Sequence, residues 1–236
     1  MESIRRVLSD SRNVRLMGRG KFKCFKGLTG VKRYKGLTKF LESRYFSTGT
    51  APRSCEATRG LKGRKRGSAV DSQISRFANG LTTRLPHKLS KSVILALKEL
   101  GLEPVAAQTA LLSKRTGVAT ALDLLVRPSD PLVELKLIVV ELKCGYVGCR
   151  KTAFKKKGTD CFLNAPFHHV VDTPLNRHLL QLAATKEFLQ AEMNGGLGLK
   201  LGLKQPVGGI LLYASTDGVD VVELPEWWQR KVAQLF

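Results

Sequence analysis

Acidic residues are scarce in this chain: 19 Asp and Glu stand against 40 Lys and Arg in 236 residues, a formal net charge of +21. Such an excess favours polyanionic partners, nucleic acid above all, through counterion release and electrostatic steering. Long apolar runs are missing too. No stretch of 18 apolar residues is present, which excludes a helical membrane span. No apolar segment follows the first residues, so a secretory signal is not expected. Cysteines number only five, an odd count in a long chain, which argues against a secreted disulfide framework and for a reducing, intracellular setting.

The charge is unevenly spread. Residues 1–66 carry 19 Lys and Arg with 4 acids, whereas residues 67–236 carry 21 with 15. Residues 1–60 show no sustained periodicity and read as a basic, largely disordered arm or targeting segment. Phe25-Lys26-Gly27-Leu28-Thr29 and Tyr34-Lys35-Gly36-Leu37-Thr38 recur nine apart, as low complexity rather than a repeat fold. Arg44-Tyr45-Phe46-Ser47-Thr48 resembles the cleavage context of mitochondrial transit peptides, and Lys62 to Arg66 suits a nuclear signal or a phosphate-contact patch. Mitochondrion and nucleus both stay open as compartments.

From residue 61 onward an ordered α/β domain is expected, with 43% apolar residues in the chain to fill its core. Val70, Ile74 and Phe77 share one face of a helix that Ser68 caps. Leu89 to Leu100 forms a second, with Ser90 as cap and Gly101 as stop. Strands follow at Glu103–Ser113, Val118–Val126 and Leu132–Cys144, an antiparallel meander. Residues 145–172 make a long connection. A helix then opens at Asp172-Thr173-Pro174 and runs to about Met193, and a loop covers 194–206. Gly209–Ala214 and Val219–Leu224 pair around Asp217-Gly218, and a short helix begins at Pro225. The outcome is a mixed, mainly antiparallel central sheet of about five strands flanked by helices.

Two acids fall where acids are costly. Asp123 sits in the apolar run Ala121-Leu122-Asp123-Leu124-Leu125, and Glu141 follows Leu137-Ile138-Val139-Val140. Buried carboxylates need a partner, a metal or a purpose. Alternation puts Glu141 and Lys143 on one strand face, and a hairpin centred near residue 132 brings Asp123 beside them. Two carboxylates converging next to a lysine suit Mg²⁺, or Mn²⁺, and a lysine that orients or deprotonates water or steadies phosphate oxygens. A second Glu-x-Lys, Glu134-Leu135-Lys136, lies seven residues earlier and therefore faces the other side, as an exposed pair.

Leu122-Asp123-Leu124-Leu125 followed by Val139-Val140-Glu141-Leu142-Lys143-Cys144-Gly145 resembles the core motif of the PD-(D/E)XK nuclease superfamily, in its RecB-like and lambda-exonuclease-like branches. Arg66-Gly67-Ser68-Ala69-Val70-Asp71 is similar to the family's first-helix motif. Gln181 matches the glutamine of its Gln-x-x-x-Tyr motif, with Thr185 at the tyrosine position. The resemblance covers residues 66–224. It implies a restriction-endonuclease-like core, metal held by Asp71, Asp123, Glu141 and the Leu142 carbonyl, and catalysis by Asp123, Glu141, Lys143 and Gln181. The activity implied is hydrolysis of DNA phosphodiester bonds; exonucleases and endonucleases share this core, with exonuclease slightly favoured.

Cationic candidates for nucleic-acid contact are Arg66, Arg150, Lys151, Lys155, Lys156, Lys157 and His178, with Phe154 as a base-stacking ring. Cys144, Cys149 and Cys161 with His168 or His169 offer four ligands at a spacing unlike a standard zinc finger. The competing reading is a non-catalytic basic nucleic-acid-binding protein: an organellar ribosomal or packaging protein, or an inactive nuclease fold.

Overall fold

The computed structural model describes residues 15–17, 22–27, 30–51, 61–113, 115–130, 132, 136–146, 148–194 and 207–236. Three strands come first: β1 (Arg15–Met17), β2 (Phe22–Gly27) and β3 (Gly30–Gly36), then helix α1 (Leu37–Arg44). Helices α2 (Leu61–Ala78) and α3 (Lys88–Glu99) precede a meander of β4 (Leu102–Ser113), β5 (Val118–Pro128) and β6 (Ile138–Cys144). A two-stranded hairpin, β7 (Lys155–Lys156) and β8 (Thr159–Asp160), interrupts the long connection to α4 (Pro174–Asn194). Strands β9 (Gly208–Ser215) and β10 (Gly218–Glu223) and helix α5 (Glu226–Ala233) complete the chain.

The main sheet is open and mixed, in the order β1-β2-β3-β5-β6-β9-β10, with β4 on the other edge of β5. Its centre is the five strands β4, β5, β6, β9 and β10. β4, β5 and β6 pair antiparallel, β6 and β9 pair parallel, and β10 returns antiparallel along β9. The parallel pair demands a crossover, which α4 supplies. Apolar clusters fill both faces. Leu37 and Leu41 of α1, Leu182 and Phe188 of α4 and Trp228 of α5 pack on one side. Val70 and Ile74 of α2 and Val93 and Leu97 of α3 pack on the other. β9, covered on both faces, is accordingly apolar almost throughout.

Residues 30–51, expected as part of an unstructured arm, belong to the folded domain. Leu37, Leu41, Tyr45 and Phe46 are all in the core. Only the burial partners, which come from distant segments, make this stretch ordered; nothing in its local pattern does. Residues 1–14 lie outside the described residues. Two helix caps also differ from expectation. α2 begins at Leu61, so Ser68 lies in its interior. α3 is capped by His87, whose Nδ1 accepts the Leu89 amide at 3.2 Å, and Ser90 is buried instead. β6 starts at Ile138 rather than Leu132. No helix among the described residues is long and apolar enough to cross a membrane.

The long connection is fastened by one buried ion pair. Asp172, fully buried, takes Arg177 Nε at 2.6 Å and a second guanidinium nitrogen at 2.7 Å, and accepts the Ser47 amide at 2.9 Å. Arg177 also donates to the Ser47 carbonyl and lies over the rings of Phe46 and Phe154, 4.5 and 3.6 Å from their centroids. The cluster ties the segment after α1 to the start of α4. There Thr173 caps the helix by accepting the Asn176 amide at 3.1 Å, and Pro174 occupies the first helical position. Arg177→Ala leaves the Asp172 carboxylate buried without its cation, so urea denaturation is expected to show a loss of about 3–5 kcal/mol. A loss below about 1 kcal/mol contradicts this account.

Candidate active site

The site forms where β5 and β6 part. Their ladder runs from Val126↔Ile138 to Leu124↔Val140 and stops one step short of Asp123 and Glu141. On the same edge of β5, β3 pairs only with Val118 and Ala119. The inward pattern of β5 also shifts here. Leu122 and Leu125 go to one apolar cluster, Leu124 and Val126 to the other. In place of a strand-to-strand bond, the Asp123 carboxylate accepts the Leu142 amide at 2.9 Å.

The gap opens a cleft lined by Gly67, Asp71, Asp123, Glu141, Leu142, Lys143, Cys144 and Gln181. The expected loop centre near residue 132 is therefore correct, because the observed register brings Asp123 opposite Glu141. α2 delivers Asp71 from one layer and α4 delivers Gln181 from the other. Glu141, 2% exposed, binds Lys143 Nζ through Oε1 at 2.5 Å, and the same oxygen accepts Gln181 Nε2 at 2.6 Å. Lys143 Nζ in turn reaches Gln181 Oε1 at 3.5 Å. Gln181 thus braces acid and base together. Thr185, one turn on, is buried, and its hydroxyl donates to the Gln181 carbonyl at 3.0 Å rather than entering the cleft.

Burial and the neighbouring Asp123 charge push Asp71 from 3.8 and Glu141 from 4.5 up to about 7, with Lys143 opposing. For Lys143, burial favours the neutral amine, but Glu141 and then Asp123 outweigh it and hold the ammonium above its ordinary value. Cys144 is a free thiol that burial, helped by Asp71, pushes up to about 11, so it stays protonated at neutral pH.

Three carboxylates in one cleft, two of them (Asp71 and Glu141) with raised proton affinity, are short of positive charge, and their oxygens suit a hard divalent cation. Asp71, Asp123, Glu141 and the Leu142 carbonyl are the donors that would hold it. Among the described residues no three Asp, Glu, His or Cys side chains form a finished metal cluster; Glu141 is turned toward Lys143 and Gln181.

The remaining candidates are more scattered. Arg66 is exposed on α2, beside Gly67 of the cleft, and its charge is felt at Cys144. Arg150 is already engaged, paired with Asp220 at 2.6 Å and lying over the Tyr213 ring. Lys151 is exposed, and Lys155, Lys156 and Lys157 are exposed on or beside the β7–β8 hairpin, where Lys155 meets Asp160 at 3.7 Å. His178 meets the buried Tyr213 hydroxyl at 2.9 Å and packs edge-to-face with Tyr146. Phe154 does not present a stacking face: it is 1% exposed under Arg177. Cys149 is in a disulfide and Cys161 a free thiol, so the sulfurs of 144, 149 and 161 do not gather as a zinc set. Glu134 lies outside the described residues, and Lys136 is exposed ahead of β6.

Sequence reasoning missed Tyr213, which is in register with Lys143 through the β6–β9 pairing, and Gln108, whose Nε2 lies 3.5 Å from Asp71 Oδ2. The β6–β9 pairing had no local signal. Gln108 stood inside a correctly expected strand and looked like any outward polar residue.

The raised carboxyl values set the pH behaviour of the metal-free protein. Between about pH 4 and 7 the unfolded acids ionise while the folded ones keep their protons, so stability falls as pH rises through that window. Melting curves of the metal-free chain are expected to show a lower Tm at about pH 7.5 than at about pH 5. Added Mg²⁺ raises it at the higher pH and has little effect at the lower. A Tm independent of both pH and Mg²⁺ rejects the charged cleft. No protein-family model and no curated protein sequence matches this chain.

Proposed function

We propose that this chain is a metal-dependent nuclease that hydrolyses DNA phosphodiester bonds, with exonuclease slightly favoured over endonuclease. One observation carries the reading: Asp71, Asp123 and Glu141 share a cleft with an ammonium and a bracing amide in a protein of net charge +21. The resemblance of Asp123 and Glu141-x-Lys143 to the PD-(D/E)XK motif supports it, as does the antiparallel β5–β6 pair that carries them. A bound Mg²⁺ or Mn²⁺ supplies Lewis-acid polarisation of the phosphate and a more acidic water.

The chain's own groups do the rest. Lys143, held as an ammonium by Glu141 and Asp123, places positive charge where phosphate oxygens gain negative charge, and it can donate a hydrogen bond to the attacking water. In this arrangement it is not a ready proton acceptor. Gln181 holds Glu141 and Lys143 in mutual reach. Asp123 is fixed by the Leu142 amide, which points that residue's backbone at the cleft. Exposed Arg66 and Lys151 and the hairpin lysines add long-range attraction for the polymer.

A non-catalytic nucleic-acid-binding protein accounts for the cations equally well, but not for converging acids placed beside a polyanion. End-labelled single-stranded, blunt and nicked DNA, incubated with Mg²⁺, Mn²⁺ or EDTA, separates the two. Cleavage is expected with metal and not with EDTA. Asp123→Ala and Lys143→Ala lower it at least about a hundredfold while DNA binding by the folded variants persists. Undiminished cleavage by folded Lys143→Ala would sink the proposal.

A further inference from the structure

The acidic cleft is small. Its volume is about 190 Å³. A second cavity of about 350 Å³ opens beside it, lined by Ser68, Asp71, Ser72, Ser75, Arg76 and Gln108. Asp71 lines both, so the two adjoin along α2.

Gln108 marks the junction. It has φ +52°, a left-handed conformation rare for a strand residue other than glycine. It is also the exposed residue in a largely buried stretch of β4. The flanking pairs Ala107↔Leu124 and Thr109↔Leu122 leave Gln108 opposite Asp123, while its amide points to Asp71. One strained residue thus links the acids of the cleft to the wall of the second cavity. Across from it, Ser68, Ser72, Ser75 and Arg76 follow helical spacing on one face of α2. Arg76 is exposed and has no acidic partner among the described residues. Gly67 precedes this face, and a side chain added there would meet no atom within 4 Å, so a polymer backbone can pass close to the helix.

We propose that the second cavity is a subsite for the sugar–phosphate of the nucleotide adjoining the bond that is cut. This rests on the nuclease reading and names how its substrate is held. The Arg76 guanidinium takes the neighbouring phosphate, while the serine hydroxyls and the Gln108 amide bond to its oxygens and to the sugar. Among the described residues no aromatic or aliphatic side chain lines the cavity, so they offer no platform for stacking a base. Recognition there is of the backbone, and cleavage is therefore indifferent to sequence at that position.

The test uses the full chain and two substrates. The first is a fluorescein-labelled single strand of about twelve nucleotides, its binding followed by anisotropy in EDTA between about 50 and 200 mM salt. Arg76→Ala is expected to weaken binding several-fold and to flatten the slope of log K against log salt by about 0.7, one phosphate contact on a single strand. Gln108→Gly keeps a permitted backbone, removes the amide, and is expected to weaken binding with no change in slope. The second substrate is thymidine 5′-(p-nitrophenyl phosphate), whose only phosphate is the one that is cut, so it has no neighbouring phosphate for Arg76 to take; with Mg²⁺, Arg76→Ala is expected to hydrolyse it at the wild-type rate.

Equal affinity and equal salt slope in Arg76→Ala would overturn the subsite. So would an equal loss on the minimal ester, which would mean damage to the cleft itself. If wild type cleaves nothing but the binding difference remains, the nuclease reading falls and the backbone-binding cavity stands.

Discussion

The Asp123 carboxylate accepts the Leu142 amide at the point where β5 and β6 stop pairing. Continuous pairing would leave the two faces of the sheet sealed from each other, with α2 and α4 in separate layers. Because the strands part, Asp71 from one layer and Gln181 from the other line one cleft. The side-chain bond from Asp123 replaces a backbone partner that the parted strand gives up, which keeps the amide satisfied where burial would otherwise penalise it. Much of the candidate chemistry depends on that substitution of one acceptor for another.

The cleft is electrostatically uneven, and the contrast with the other buried ion pair is instructive. Asp172 and Arg177 match one charge with one charge in bidentate geometry, add a backbone amide, and close the pair between two rings. Nothing there asks for a further group. In the cleft, three carboxylates face one ammonium, and the imbalance appears as carboxyls that hold their protons to about pH 7. A closed pair fastens the long connection to α4, whereas the cleft keeps an unbalanced negative charge, the feature on which the proposed metal site rests.

Much of the architecture was legible. Helical spacing at Val70, Ile74 and Phe77 marked α2, the Asp217-Gly218 dipeptide marked the β9–β10 turn, and Thr173-Pro174 marked the start of α4. The choice of Glu141 over Glu134 followed from the apolar residues before it and the period of two. The rest was hidden for identifiable reasons. Leu37, Leu41, Tyr45 and Phe46 lie among glycines and lysines, and only α4, β5 and the 163–170 loop, remote in sequence, give them something to bury against. The fate of Phe154 turned on Arg177, 23 positions away, which covers it. Ser90 looked like a cap, but His87 reaches the amide first because the chain enters the helix three residues earlier.

The amino-acid sequence by itself determined the excess of positive charge, the α/β order of elements and the candidacy of Asp123, Glu141 and Lys143, because periodicity and the cost of burying charge are local properties; Gln181 entered only through the motif resemblance. Tertiary structure decided which of these meet. The β6–β9 register set Tyr213 beside Lys143, the interruption of the β5–β6 ladder brought Asp71 to the same cleft, and the left-handed backbone at Gln108 stands where its amide reaches Asp71, which lines both that cleft and a second cavity. Each of these is a relation between segments far apart in the chain, fixed by pairing and packing that no local pattern encodes.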